Sequence, residues 1–118
     1  GIYSDLYYTI DLASWRRIML DDIFQPGSID RVNRVLLDQL LKNLNLTTPD
    51  SLLDLGYFAT EGIGATDNFY LTDNGICWVY NPYEIACYAT GQTFIEVPFT
   101  ELEMYFLPDT PIRRLIQK

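Results

Sequence analysis

Between Ile29 and Leu44 the chain carries one stripe of apolar side chains at helical spacing, and this stripe limits the fold more than any other feature. Ile29, Val32, Leu36, Leu40 and Leu44 recur three and four residues apart, and Val35, Leu37 and Leu41 widen the stripe. Arg31, Arg34, Asp38 and Lys42 take the other side. Gln25-Pro26-Gly27 breaks the chain just before it. Ser28 is placed to cap the helix by accepting from a backbone N–H two or three residues on, and Asp30 suits the positive helix end. The expected end is near Asn43–Asn45. A helix with one wide apolar stripe must bury it against a second layer, so the rest of the chain should supply that layer.

The remaining segments read mostly as strands. In Ile2–Leu12, Leu6, Tyr8 and Ile10 share one face and Tyr7, Thr9 and Asp11 the other. Ala13-Ser14-Trp15 turns the chain, and Arg16–Leu20 returns. Asp21-Asp22-Ile23-Phe24 is a short helical turn or loop. Ser51–Leu55 forms a short helix or turn ending at Gly56, and Tyr57–Ala59 is a further short strand. Phe69–Thr72 and Ile76–Tyr80 flank Asp73-Asn74-Gly75, where Asn-Gly signals a hairpin because the tight turn uses positive φ. Phe94–Phe99 is the next strand, with Pro98 marking an edge or an end. Thr100 and Glu103 have capping-box spacing for a short helix, and Pro111 sits at the first position of another. Strands separated by one long helix predict an α+β fold: an antiparallel sheet packed on one long helix, with short C-terminal helices.

The 118 residues make one domain, residues 1–118, with 48% hydrophobic and 20% charged residues. The chain starts with Gly1 and not Met, so a trimmed piece of a longer protein is expected. No apolar run approaches the ~20 residues of a membrane-spanning helix. Net charge −8 repels nucleic acid and anionic membranes, leaving a cationic partner as the natural complement. The charge is uneven. Ten acidic residues and no Lys or Arg lie between Lys42 and Arg113. Solubility alone is the competing explanation of such acidity.

Catalytic chemistry finds little support. The chain has no histidine, which removes histidine-assisted nucleophiles and most zinc sites. Ser4, Ser14, Ser28 and Ser51 read as turn or cap residues. Asp21-Asp22 and Glu101/Glu103 are the carboxylate pairs open to a hydrolase, but adjacent turn residues point apart and the glutamates fit a helix start. Gly62-x-Gly64 lacks the remainder of a phosphate loop. Asp73-x-Gly75 lacks further calcium ligands. No cofactor or metal is implied. Cys77 and Cys87 are either two buried thiols or, in an exported protein, a disulfide.

The segment around Asn81-Pro82 is different. Trp78, Tyr80, Tyr83 and Tyr88 crowd a loop stiffened by proline. Rigid tyrosines on such a loop are typical recognition residues, while the alternative places these rings in the core.

Three runs carry a family resemblance: Asn68-Phe69-Tyr70-Leu71-Thr72-x-x-Gly75, Tyr80-Asn81-Pro82-Tyr83-Glu84-Ile85-Ala86-x-Tyr88-Ala89-x-Gly91, and Val97-Pro98-Phe99-x-Glu101-Leu102. With Thr9–Ser14 and Leu20–Ser28 they resemble the RsiV C-terminal domain family. Cys87 stands where that family usually has proline, and Trp15 where its first hairpin usually turns through glycine. The resemblance implies an extracytoplasmic α+β binding or sensing module of the bacterial envelope without catalysis of its own, anchored, if at all, through a segment preceding these residues. It implies a cationic, lysozyme-like protein or a peptidoglycan fragment as partner. The contact residues expected are Pro82, Tyr83, Glu84, Tyr88 and Glu96. An accessory role beside a cell-wall polysaccharide deacetylase, or a carboxylate-based hydrolase, is the alternative.

Overall fold

A computed structural model describes residues 4–57, 63–82, 84–86 and 91–116. The long helix forms where the stripe predicts it. Here α2 spans Ile29–Asn43 and buries Val32, Leu36, Leu40 and Leu41. Its C-terminus closes with Asn45 in the left-handed region (φ 58), while the Leu46 N–H reaches the Leu41 carbonyl at 2.8 Å. Asparagine tolerates that conformation, and the back-bond satisfies an orphan carbonyl. The N-terminus corrects the expectation for Ser28. Its side chain caps nothing; it is buried, and its hydroxyl donates backward to the Gln25 carbonyl at 2.7 Å. With helical backbone angles (φ −89, ψ −10), Ser28 is not in the extended conformation that carries a cap oxygen over the next turn.

The second layer is a three-stranded antiparallel sheet in the order β3 (Phe69–Leu71), β4 (Gly75–Tyr80), β5 (Thr93–Pro98). Register places Phe69 opposite Trp78 and Trp78 opposite Ile95, and Leu71, Ile76 and Val97 follow on the same face. This inner face joins the stripe of α2 in one core with Leu52, Ile63, Leu102 and Ile112. Each fully buried large apolar side chain contributes about 1.5–3 kcal/mol from leaving water. The polar tips of the two large rings in this layer are satisfied. The Trp78 indole donates to the Thr66 carbonyl at 3.0 Å, and the Tyr80 hydroxyl to Gly64 at 2.6 Å. Both rings are therefore core.

The β3–β4 turn exists as expected, for a different reason. Neither Asn74 nor Gly75 takes a positive φ. Instead the Thr72 hydroxyl accepts from the N–H of Asn74 (3.2 Å) and Gly75 (2.9 Å), and the Thr72 N–H pairs with the Gly75 carbonyl. Gly75 is required by proximity: a Cβ there would lie 2.0 Å from the Val97 carbonyl oxygen. The same turn replaces the expected capping box. Helix α3 starts at Phe99, whose N–H goes to the Asn74 carbonyl at 2.9 Å, and no side chain caps it. Thr100 thus lies inside α3 (Phe99–Leu102), which runs into a 3-10 turn, Glu103–Tyr105.

The N-terminal strands form their own sheet, with β1 (Thr9–Asp11) antiparallel to β2 (Arg16–Ile18). The turn between them holds Trp15 at φ 59. Helix α1 (Leu20–Ile23) follows, with the Asp22 carboxylate accepting from the Met19 N–H at 2.9 Å. A 3-10 helix, Pro49–Leu55, ends at Gly56 in the left-handed region (φ 95). Tyr57 forms an isolated bridge to Ala86, and residues 58–59 of the expected strand lie outside the described residues. The last helix, α4 (Pro111–Ile116), begins with its proline as expected. Arg114 on α4 meets Asp11 on β1 at 2.8 Å. Among the described residues no helix is long and apolar enough to cross a membrane.

Candidate functional site

The Asn-Pro-Tyr-Glu segment leaves the end of β4 and is used largely by the fold itself. Asn81 is buried. Its carboxamide oxygen accepts from the Asp5 N–H (2.8 Å) and from Gln92 Nε2 (3.0 Å). Its NH2 group donates to the Asp5 carbonyl (2.9 Å) and to Glu84 Oε1 (3.1 Å). Asn68 holds the same N-terminal segment one step along, accepting from the Tyr7 N–H at 2.7 Å and donating to Asp5 and Val79 carbonyls. These two asparagines fasten residues 5–7 to the sheet. The sequence singled out the rings of this loop and missed the amide that anchors it.

Pro82 is buried, against the expectation that it faces the surface. Glu84 is exposed while still accepting from Asn81. Its charge also helps burial raise the pKa of the Tyr80 phenol. Tyr83, Cys87 and Tyr88 lie outside the described residues. Cys77 is a buried free thiol. Glu96 is exposed in the middle of β5. Thr93, where β5 begins, pairs with Tyr80 at the loop end of the sheet, and three strand residues span about 10 Å. Glu84 and Glu96 therefore belong to different neighbourhoods, one at the loop and one on the sheet.

The neighbourhood of Glu96 is the outer sheet face, turned away from the main core. Strand alternation puts Tyr70, Cys77, Val79, Phe94 and Glu96 on it, with Cys77 opposite Glu96 and Val79 opposite Phe94. A groove of about 490 Å³ opens here, lined by Tyr70, Cys77, Phe94, Glu96, Gln39 and Asn43 among others. Phe94 is 44% exposed. Tyr7 closes one side, its ring 5.0 Å from that of Tyr70. The period-two pattern of β5 carried the signal for Phe94, which sits two residues before Glu96.

Two groups in the groove are held in their neutral forms. The Tyr70 phenol is pushed up to about 12, first by the neighbouring Cys77 thiol and then by burial. Burial pushes the Cys77 thiol up as well, opposed in part by the adjacent Tyr70 hydroxyl. At neutral pH the groove thus presents an apolar ring, a neutral phenol, a neutral thiol and one carboxylate. Among the described residues no group of three or more His, Cys, Asp or Glu side chains is placed to hold a metal ion.

Comparison with known proteins adds the following. The model of a family described as protein of unknown function, DUF3298, matches residues 21–100. A crystal structure of a DUF3298 family member from Bacteroides fragilis NCTC 9343 superposes with a TM-score of 0.90 at 35% identity, covering 99% of this chain and 46% of that one. A DUF3298 family protein from Pseudomonas aeruginosa PAO1 has the same fold, with a TM-score of 0.61 at 20% identity over 84% of this chain and 44% of its own. This chain therefore spans less than half the length of either solved relative. No curated protein matches it.

Proposed function

This chain belongs to the DUF3298 family, and on that premise we propose that it is a non-enzymatic binding module of the bacterial cell envelope, of the RsiV C-terminal type, that engages a cationic protein such as lysozyme. The observation that carries this reading is the groove on the outer sheet face. There Phe94, nearly half exposed, and Glu96 stand at alternate positions of one strand beside the neutral Tyr70 phenol. An exposed ring beside a carboxylate is the combination that anchors an apolar contact and orients a cation. Apart from Gln39, the residues that line the groove come from the stretch between Lys42 and Arg113 that carries ten acidic residues and no basic one. Such a surface attracts a basic partner and speeds encounter.

In this reading Phe94 and Tyr70 supply apolar area. Glu96 supplies charge in the groove, and Glu84 extends the acidic surface at the loop. Tyr83 and Tyr88 flank Glu84 in sequence and complete the contact. Pro82 acts by holding the loop and not by touching the partner. The location is extracytoplasmic, where lysozyme is met.

Calorimetric titration with lysozyme tests the proposal. Binding should persist at physiological ionic strength, and Phe94→Ala should weaken it about tenfold, near 1.4 kcal/mol. Glu96→Gln should weaken it less and flatten its salt dependence. Heat that disappears on modest salt addition, with Phe94→Ala indistinguishable from the parent, would leave only nonspecific charge attraction and reject this reading.

A further inference from the structure

The N-terminal hairpin turns its apolar side to solvent. Leu6 is 67% exposed, Leu12 71% and Trp15 78%, with Tyr8 and Ile10 between them near half. Leu6, Tyr8 and Ile10 alternate along the segment that runs into β1 and share one side, where Arg17, the cross-strand partner of Ile10, lies among them. The opposite side is the one the fold uses. Tyr7 stacks on Tyr70, and the Thr9 hydroxyl donates to the Phe69 carbonyl at 3.3 Å. The face is ordered rather than loose. The Arg17 guanidinium lies 4.1 Å above the Tyr8 ring and donates to the Asp67 carbonyl, and Arg114 ties Asp11 to α4. Trp15 is held in a left-handed conformation that a tryptophan rarely adopts, with its indole outward. Beside the face, a mostly apolar hollow of about 290 Å³ opens between Ile10, Leu12, Leu71 and Pro111. It is large enough to receive a side chain.

We propose that this hairpin face is an interdomain surface, covered by a companion domain of the same polypeptide of the kind that fills the remainder of the longer relatives. The Bacteroides fragilis protein matches 99% of this chain, hairpin included, and that match occupies only 46% of its own length. The family-model match begins at residue 21, directly after the hairpin. The family model therefore leaves the hairpin out, and it is the superposition that shows the hairpin kept in a relative with as much chain again beside it. Monomers rarely leave this many large apolar side chains exposed on one hairpin without a partner. An anionic lipid surface is opposed by the net charge of −8 and by Asp5, Asp21 and Asp22 on and beside the hairpin, which outnumber Arg16 and Arg17 on β2. A second copy brings the same charge against itself.

Two measurements decide it. In the coordinates of the Bacteroides fragilis protein, the positions aligned with Leu6, Tyr8, Ile10 and Leu12 should be apolar and buried against the rest of that chain. If they face solvent there, or another copy, the proposal is overturned. For this protein, sedimentation equilibrium over a wide concentration range should give a monomer. A dimer that reverts to monomer in Leu12→Ser would assign the face to a second copy and overturn the proposal. Binding to phosphatidylserine vesicles lost in Trp15→Gly would assign it to a membrane, with the same consequence. Trp15→Gly relieves the turn, so the folded state should survive in that control.

Discussion

A carboxamide can donate twice and accept twice, and Asn81 uses all four valences inside the protein. Removing it leaves the Asp5 N–H and carbonyl without those partners in a partly buried site, so Asn81→Ala should cost about 2–3 kcal/mol. Thermal denaturation should register a fall in Tm of about 10 °C, with faster amide exchange at Asp5. A fall of less than about 2 °C would show that residues 5–7 are held by something else. The second residue-scale expectation concerns pH. The Tyr70 phenol titrates near its ordinary 10.0 when unfolded and at about 12 when folded, so the native state binds the proton more tightly. The stability it contributes is fully present below about pH 10 and is lost as pH rises through about 12. Urea midpoints across that range should fall less steeply in Tyr70→Phe than in the parent. Equal slopes would remove Tyr70 from the alkaline transition.

At the scale of elements, the β3–β4–β5 sheet depends on the close approach of two strands. Gly75→Ala would drive a Cβ to 2.0 Å from one backbone atom and 2.7 Å from another, both in Val97. Backbone cannot step aside as a flexible side chain can, so the strands must part, at about 2–3 kcal/mol. Gly27→Ala is the matched comparison. It has open space around it but a φ of +83, so only the left-handed backbone is penalised, by about 1 kcal/mol. Urea unfolding should rank Gly75→Ala as the more damaging of the two; the reverse order would mean that the contact relaxes cheaply. The helix and this hairpin were legible in the sequence because both are local patterns. The apolar stripe repeats every three to four residues, and turn-forming residues separate two apolar runs. Their caps were not legible. Thr100 and Glu103 have the spacing of a capping box, yet the Asn74 carbonyl, distant in sequence, takes the Phe99 N–H instead. A cap motif states only what a side chain can do when no better-placed backbone group arrives first.

Across the whole molecule, the sequence by itself determined the α+β class, the long helix with its buried stripe, the central strands and the acid-only span from Lys42 to Arg113. Periodicity and charge are properties of the chain that folding cannot alter. Tertiary structure alone decided which face of each strand is used. Along residues 6–10 the alternation is plain, but the side packed inward carries Tyr7 and Thr9, while Leu6, Tyr8 and Ile10 look outward. That choice is made by Asn68 and Asn81, which bind the segment's backbone from 61 and 76 residues away. The candidate site follows the same rule. Glu96 could be read from its position in β5, whereas its company of Tyr70, Cys77 and Phe94 arises only when three strands align in register. Alternation fixes two faces and leaves their environment open; long-range hydrogen bonds and strand pairing choose between core and solvent.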